Sequence, residues 1–235
     1  MHDVFQIKPL MQIPLFRGLQ PDDISYLQSS LTVQEIRPRN IVIPGGKLGN
    51  RIYIIIHGSV KVQVERDNGT VVIVNVLGPG QIIGELSSTD GKASSATVVT
   101  LERCVCASVD AGIFLRLRHK FPQISDNLLQ ILSARLRLAN KQILALATMN
   151  AEGRIVHQLL ALAQEFGMTD QAPGALKIPL RLTQSTLGEM TGLSRSRVNL
   201  VLKRLKKKHL ISTWGTGRFR INNMPLFEQY ATLMP

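Results

Sequence analysis

Residues 183–208 read TQSTLGEMTGLSRSRVNLVLKRLKKK and predict two short helices joined by a tight turn. Thr183 and Ser194 are residue types that cap helix N-termini, so each predicts the start of a helix. Gly192 permits the turn between the two helices. The second helix, from Arg195 to about Lys207, would turn its apolar side chains inward and leave its basic ones outside. This combination describes a helix-turn-helix.

The start of the second helix is where base contacts are expected. A helix-turn-helix places this helix in the major groove, with its first residues against base edges. Arg195 can fork onto the O6 and N7 atoms of guanine, whereas Lys203 and the lysines at 206–208 lie farther along and suit phosphate. The predicted DNA-contacting residues are Thr183, Gln184, Ser185, Ser194, Arg195, Ser196, Arg197, Asn199, Leu200, Lys203 and Arg218.

A β-hairpin is predicted directly after the two helices. Residues 210–221 read as two short strands with a tip at 214–217, and Arg218 and Arg220 follow on the return strand. This is the pattern of a wing whose arginines suit phosphate. The alternative for the whole segment is an αα-hairpin with solvated lysines. The caps, the glycine turn, the lysine cluster and the hairpin together favour DNA binding.

Positive charge is concentrated in the same part of the chain. The 235 residues carry a net charge of +12. From Arg181 onward there are ten Lys and Arg against two acidic residues, whereas the preceding 180 residues hold 18 against 14. On charge alone a solvated basic face is an equal alternative. Beside a helix-turn-helix, the excess indicates double-stranded DNA as the partner.

Upstream of these helices, apolar residues follow the heptad spacing of a coiled coil. Spacings of 3, 4, 3, 4 and 3 residues continue for about five turns. A helix packed on its own domain is the alternative, but such a helix usually shows a broader apolar stripe, so we predict pairing with a second copy of the chain. The predicted dimer residues are Leu129, Leu132, Leu136, Ala139, Ile143 and Leu146.

The segment between this seam and the helix-turn-helix predicts a joint, a helix and a loop. The seam ends near Asn150, and Gly153 is a candidate hinge. Residues 154–166 predict another amphipathic helix. Residues 168–179 contain two prolines and a glycine and predict a loop.

Residues 31–109 have the alternating apolar pattern of β-strands. Val60–Val64 alternates clearly, and Asn68-Gly69 is a strong hairpin signal. Many short strands separated by turn signals predict a closed barrel or a jelly roll.

Four segments carry a family pattern: Tyr53–Val60 (YIIIHGSV), Gly80–Leu86 (GQIIGEL), Gly153-Arg154 and Leu187–Arg195 (LGEMTGLSR). In this order and separation they resemble the bacterial Crp/Fnr transcription regulators. The resemblance implies a homodimer on a palindromic DNA site and an α+β fold in three parts. These are a cyclic-nucleotide-binding-type β jelly roll sensor at 1–120, a dimerisation helix at 121–150 and a winged helix-turn-helix at 151–235.

By the same resemblance, a small effector would bind in the jelly roll against the long helix. Family members that bind cyclic AMP use a Gly-Glu pair, matched by Gly84 and Glu85. They also use an Arg-Ser pair that grips the phosphate, and this pair falls on Ser94 and Ser95. The missing arginine removes a strong charge-assisted contact. Lys92 is close by in the sequence but lacks the planar guanidinium fork.

The adenine end of this implied pocket also departs from the family. The family's arginine is kept as Arg135, while its Thr-Ser pair becomes Ala139-Asn140. We therefore predict regulation without standard cyclic AMP control, by a cyclic nucleotide used differently, by another small effector or by none; cyclic AMP dependence is the alternative. The implied effector residues are Gly84, Glu85, Leu86, Ser94, Ser95, Arg135 and Asn140.

Other classes of function find less support in the sequence. No Walker loop, nucleophile elbow or HExxH motif is present, so no enzyme is predicted. Cys104 and Cys106 are too few for an iron–sulfur cluster, and the five histidines show no metal-ligand spacing. The alternative from another class is a cyclic-nucleotide-type switch that regulates a partner other than DNA.

The sequence also predicts a location and a further partner. No apolar run is long enough to span a bilayer, and the N-terminus lacks a signal peptide, so we predict a cytoplasmic protein without membrane contact. By the resemblance, the loop near Thr169 to Gly174 is where some activators touch RNA polymerase.

Overall fold

The computed structural model describes residues 10–234, which divide into two compact units. The first unit contains the described residues up to Glu65 together with Asn75–Leu138. The second contains Arg66–Val74 together with the described residues from Ala139 onward. Residues 1–9, on which the signal-peptide expectation mainly rests, lie outside the described residues.

The predicted jelly roll consists of two four-stranded sheets. Its strands are β1 (Thr32–Ile36), β2 (Ile41–Ile43), β3 (Arg51–His57), β4 (Val60–Glu65), β5 (Val71–Leu77), β6 (Ile82–Ile83), β7 (Thr97–Thr100) and β8 (Cys104–Asp110). The strand orders are β1-β8-β3-β6 and β2-β7-β4-β5. Gly69, with φ +77°, lies in the turn between β4 and β5, which confirms the Asn68-Gly69 hairpin signal.

Helices lie before, within and after these strands. They are α1 (Pro21–Ser29), α2 (Glu85–Asp90), α3 (Ala111–Lys120) and the long helix α4 (Pro122–Thr148). Asp110 caps α3, because its carboxylate accepts from the backbone N–H groups of Gly112 and Ile113. A continuous helix, Pro122–Thr148, lies within the predicted range 121–150, and its role in dimerisation stays a prediction.

Strand β3 is buried on both faces, which explains its unbroken apolar run. Ile52 and Ile54 are fully buried in a cluster with the helices, where they pack with Ile124 and Leu128 of α4. Ile55 instead belongs to a second cluster between the two sheets. A strand covered on both sides has no need of the polar alternation that an exposed face requires.

Two glycines of the family pattern have a backbone reason to be glycine. Gly58 has φ +84°, and a Cβ there would lie 2.4 Å from the carbonyl oxygen of Arg103. Gly84 has φ +87°, and its Cβ would lie 2.5 Å from the carbonyl oxygen of Arg51. Both turns pack so closely on a neighbouring strand that a side chain would force the backbones apart.

The two cysteines are inert packing residues of the jelly roll. Both are buried and belong to the cluster between the sheets. Burial raises the pKa of the Cys104 thiol to about 11 and that of Cys106 to about 12. The nucleophilic thiolate is therefore scarce at neutral pH, which disfavours thiol-based redox sensing at this strand.

The second unit is a helical domain with a small sheet. Its elements are α5 (Ala151–Phe166), β9 (Met168–Thr169), β10 (Leu176–Lys177), α6 (Gln184–Thr191), α7 (Arg195–Lys207), β11 (Ile211–Trp214), β12 (Arg218–Ile221) and α8 (Met224–Thr232). The sheet has the order β11-β12-β10-β9. The predicted wing hairpin is thus the β11–β12 half of a four-stranded sheet.

Two sequence expectations for this unit are wrong. Residues 168–179 are not purely a loop, because β10 pairs with both β9 and β12. Gly153 is not the break after the long helix, since it is the third residue of α5 and is buried. The break lies at Met149–Asn150, where the Asn150 side chain caps α5 by accepting from the backbone N–H of Gly153.

Candidate functional site

The helix-turn-helix is set by side-chain caps at the predicted positions. Thr183 Oγ1 accepts from the backbone N–H of Thr186 at 3.0 Å, and α6 begins at the next residue. Ser194 Oγ accepts from the N–H of Arg197 at 3.3 Å, and α7 follows. Gly192 ends α6 with φ +68°. The caps fix where each helix starts and therefore which side chains point outward.

The second helix, α7, has one buried face and one exposed basic face. The buried face consists of Val198, Val201, Leu202 and Leu205. The turn before α7 is tight, because a Cβ on Gly188 would lie 2.5 Å from the carbonyl oxygen of Leu193. The exposed residues include the predicted DNA contacts Ser194, Arg195, Ser196, Arg197, Leu200 and Lys203. The reading face that the sequence predicts is therefore open to solvent.

Hydrogen bonds orient two of the polar residues on this face. Gln184 Nε2 at the start of α6 donates to Asn199 Oδ1 at 3.2 Å, so the Asn199 amide is tied to the first helix. The hydroxyls of Ser194 and Ser196 lie 3.0 Å apart. Ser185, beside Gln184, is exposed.

The wing arginines differ in their surroundings. Arg218 Nε donates to the carbonyl oxygen of Pro179 at 2.8 Å, and its guanidinium lies 5.6 Å from the centroid of the Trp214 ring. Arg220 Nε lies 2.7 Å from Asp170 Oδ2 as an ion pair without hydrogen-bond geometry. Lys177 also pairs with Asp170 at 2.7 Å, and this contact holds the pKa of Asp170 below its ordinary value. Arg220 is therefore paired with an acid of its own sheet, and its contact with phosphate stays a prediction.

Charge contacts at the far end of α7 also differ from expectation. Lys208 was grouped with the phosphate-binding lysines, but it donates to the hydroxyl of Tyr230 and lies 3.6 Å from Glu152. Arg204 Nη1 lies 3.6 Å from the same carboxylate. The sequence analysis missed Glu152, which lies two residues after the Asn150 cap and gives no local signal of a contact with α7.

Two of the implied effector residues are partners of each other. Arg135 Nη1 lies 2.6 Å from Glu85 Oε1, and Arg135 Nη2 donates to the carbonyl oxygen of Ile82 at 2.6 Å. The Glu85 side chain is 6% exposed and that of Arg135 22% exposed. The pair satisfies a buried carboxylate and ties α4 to the turn at Gly84.

The remaining implied effector residues surround this pair less closely. Ser94 Oγ donates to the carbonyl oxygen of Ala96 at 2.9 Å, whereas Ser95, Leu86 and Asn140 are exposed. Arg51, beneath the Gly84 turn, was missed by the sequence analysis. Its Nε is buried and has no hydrogen-bond partner among residues 10–234. An arginine opening an otherwise apolar strand is the signal that could have identified it.

The predicted dimer seam is largely exposed on the single chain. Leu129, Leu136 and Ile143 are 63%, 63% and 64% exposed. Ala139 and Leu146 are exposed as well, whereas Leu132 is half-buried against the jelly-roll core. Ile124 and Leu128, near the start of α4, are buried in that core, whereas the later seam residues are not.

Within residues 10–234, no group of three or more His, Cys, Asp or Glu side chains is arranged to hold a metal ion. In the same range, no helix has the length and apolar character needed to cross a membrane.

Comparison with known families gives two matches that together cover most of the chain. The cyclic nucleotide-binding domain model matches residues 33–121, and the Crp-like helix-turn-helix domain model matches residues 153–230. A "CRP-like cAMP-activated global transcriptional regulator" of Mycobacterium tuberculosis is 35% identical over 82% of this chain and 85% of its own length. The "Cyclic AMP receptor protein" of Thermus thermophilus is 28% identical over 93% of this chain and 96% of its own.

Solved structures share the fold. FixK2 from Bradyrhizobium japonicum has a TM-score of 0.74 and 16% identity, over 85% of this chain and 96% of its own. A CooA mutant from Carboxydothermus hydrogenoformans has a TM-score of 0.72 and 16% identity, over 97% of this chain and 96% of its own. At these identities the likeness establishes the fold.

The Glu85–Arg135 pair generates a stability prediction. Arg135→Leu leaves a buried carboxylate without its partner and should lower the free energy of unfolding by about 3 kcal/mol. Urea unfolding followed by circular dichroism measures this loss. Arg137→Leu, two residues along the same helix and exposed, is the matched control and should change stability by less than about 0.5 kcal/mol. Equal losses in the two variants would contradict a structural role for the pair.

Proposed function

The chain belongs to the Crp/Fnr family of DNA-binding transcription regulators, and we propose that it acts as a homodimer on a palindromic DNA site. The main observation behind the proposal is the exposed basic face of α7. The Ser194 cap fixes where α7 starts, and the Thr183 cap does the same for the preceding helix α6. We place the protein in the cytoplasm, where bacterial DNA lies, and assign it no catalytic activity. Contact with RNA polymerase through residues 169–174 is a further part of the proposal and rests on the family resemblance.

The proposed partner of the exposed seam on α4 is a second copy of the chain. Leu129, Leu136 and Ile143 recur every seven residues, which is the repeat that pairs two helices. Two identical seams around a two-fold axis cover each other, and each large apolar side chain removed from water contributes about 1.5–3 kcal/mol. A dimer would present two recognition helices to two half-sites about one helical turn apart.

The proposed base contacts follow from the residues at the start of α7. Arg195 reads guanine, whereas Lys203 and Arg218 hold phosphate. Ser196 and Leu200 stand where, by the family resemblance, the nucleotide-dependent branch has a glutamate and a second arginine. A serine selects the cytosine amino group less firmly than a carboxylate does, and a leucine can touch only a thymine methyl group. The preferred site should therefore differ from that branch's site at these two base pairs.

We propose that DNA binding does not require cyclic AMP. Ser94 stands where the family's phosphate-gripping arginine is expected, and its hydroxyl is engaged with Ala96. Glu85 and Arg135 already satisfy each other, so neither needs a ligand to complete its contacts. Cyclic AMP dependence is the second candidate, because the Mycobacterium tuberculosis relative is named as cAMP-activated and the Thermus thermophilus relative as a cyclic AMP receptor protein. Lys92, which is exposed, and Arg51 are the cations that would then replace the arginine.

A dimer prediction follows from the seam. Leu136→Glu places an unpaired charge in the proposed interface and should convert the protein to a monomer at micromolar concentration. Light scattering coupled to gel filtration gives the mass. Ala134→Glu, exposed on the same helix but off the seam, is the control and should remain dimeric. A Leu136→Glu protein that keeps the dimer mass would place the interface elsewhere.

A specificity prediction separates the two kinds of contact on α7. Arg195→Ala should cost about 1–3 kcal/mol on the best site and relax the preference at one base pair of each half-site. Lys203→Ala should weaken binding to all sequences alike. Selection of bound fragments from random DNA, followed by titration of the winners, measures both. If Lys203→Ala relaxed the base preference and Arg195→Ala weakened binding to all sequences alike, α7 would dock on DNA in a different orientation.

An effector prediction addresses cyclic AMP. Fluorescence anisotropy on a selected site should give the same affinity with and without cyclic AMP, because the phosphate contact lacks its arginine. Ser94→Arg restores the family's residue and should create a response to cyclic AMP, since an arginine–phosphate pair is strong and bidentate. Wild-type binding that appears only after cyclic AMP is added would support the second candidate instead.

A further inference from the structure

Glu152 joins three helices of the second unit through its carboxylate. It is the second residue of α5, and its side chain is 17% exposed. The hydroxyl of Tyr230 in α8 donates to Glu152 Oε1 at 2.6 Å. From the end of α7, Lys208 Nζ lies 3.6 Å from Oε1, and Arg204 Nη1 lies 3.6 Å from Oε2. One acid therefore faces two cations of the recognition helix.

Lys208 is held more firmly than a single ion pair would hold it. Its ammonium donates to the Tyr230 hydroxyl oxygen and lies 4.6 Å from the centroid of that ring. The hydrogen bond to Tyr230 raises the pKa of Lys208, which therefore stays charged at neutral pH. Lys208, Tyr230 and Glu152 thus form a chain of donors that ends on the carboxylate.

Lys203 provides the contrast on the same helix. It is exposed, and its ammonium has no ion-pair partner among residues 10–234. Arg195 and Arg197, at the start of α7, are exposed too. All the cations of α7 are exposed, but only Arg204, together with Lys208 just after the helix, faces Glu152. The cations without an acidic partner among residues 10–234 are Arg195, Arg197, Lys203, Lys206 and Lys207.

We propose that Glu152 is a positioning residue for the recognition helix and that it withholds Arg204 and Lys208 from DNA phosphate. This inference rests on the proposed DNA-binding function. Each cation that meets a phosphate releases counterions and strengthens binding to every sequence alike. A protein that keeps two of its cations on an internal acid binds non-specific DNA less tightly and leaves discrimination to the start of α7.

The salt dependence of DNA binding tests this division. Affinities of the full chain for a selected site and for a scrambled duplex are measured by fluorescence anisotropy at several salt concentrations. Each phosphate contact contributes about 0.9 to the slope of log K against log salt. Glu152→Gln removes the charge but keeps an acceptor for Tyr230. It should steepen the slope by about one to two and tighten binding to the scrambled duplex.

Two further variants supply the controls. Lys203→Ala should reduce the slope by about one. Arg204→Ala with Lys208→Ala should leave the wild-type slope unchanged, and in the Glu152→Gln background it should cancel the increase. The proposal is overturned if the Arg204→Ala, Lys208→Ala double variant lowers the slope as much as Lys203→Ala does. It is also overturned if Glu152→Gln leaves the slope unchanged.

Two possible failures have different signatures. Tyr230→Phe removes the hydroxyl that accepts from Lys208 and donates to Glu152, but it leaves the Arg204–Glu152 ion pair in place. It should steepen the slope by no more than about one, which keeps a readout if the Glu152 variant does not fold. Wild-type protein without salt-dependent binding to any duplex would contradict the DNA-binding function itself. If the wild type and Lys203→Ala give the expected slopes, but Glu152→Gln and Tyr230→Phe leave the slope unchanged, this inference alone is contradicted.

Discussion

The jelly roll covers apolar side chains near the start of the long helix α4, and the single chain leaves the apolar seam farther along it exposed. Ile124 and Leu128 are buried in the jelly-roll core, while Leu129 and Leu136 are exposed. Leaving a row of large apolar side chains in water costs free energy that a second helix can recover. The proposed dimer supplies that second helix, and its seam runs along α4 from Leu129 to Leu146.

The distribution of acids decides how much of the positive charge is available to DNA. The net charge of +12 suggests a uniformly basic second unit. Asp170 pairs with Lys177 and Arg220, and Glu152 faces Arg204 and Lys208. Arg195 and Arg197 at the start of α7, and Lys203 in its middle, have no acidic partner among residues 10–234. Under the proposed function, the acids therefore reduce the number of cations that strengthen binding to every sequence alike.

The sequence predicted best those features that depend on residues close together in the chain. Thr183 and Ser194 cap helices at the predicted residues because a cap is an interaction within three residues. The Asn68-Gly69 turn is equally local, whereas pairing along the heptad seam needs a second chain and stays a prediction. Strands β9 and β10 were not predicted because each has only two residues, and β10 forms against β12, which lies more than 40 residues away, while β9 pairs with β10. The contacts of Glu85 with Arg135 and of Glu152 with Lys208 join residues 50 and 56 positions apart, which no sequence period reveals.

The most direct test of the account is the dependence of DNA affinity on half-site spacing. Two selected half-sites are moved apart in single duplexes by about 5 and about 10 base pairs, half a turn and a full turn of the helix. A dimer joined along α4 predicts two chains per duplex at the selected spacing and a large loss of affinity when the half-sites move to opposite faces of the DNA. Equal affinity at every spacing, with each half-site binding one chain independently, would contradict it.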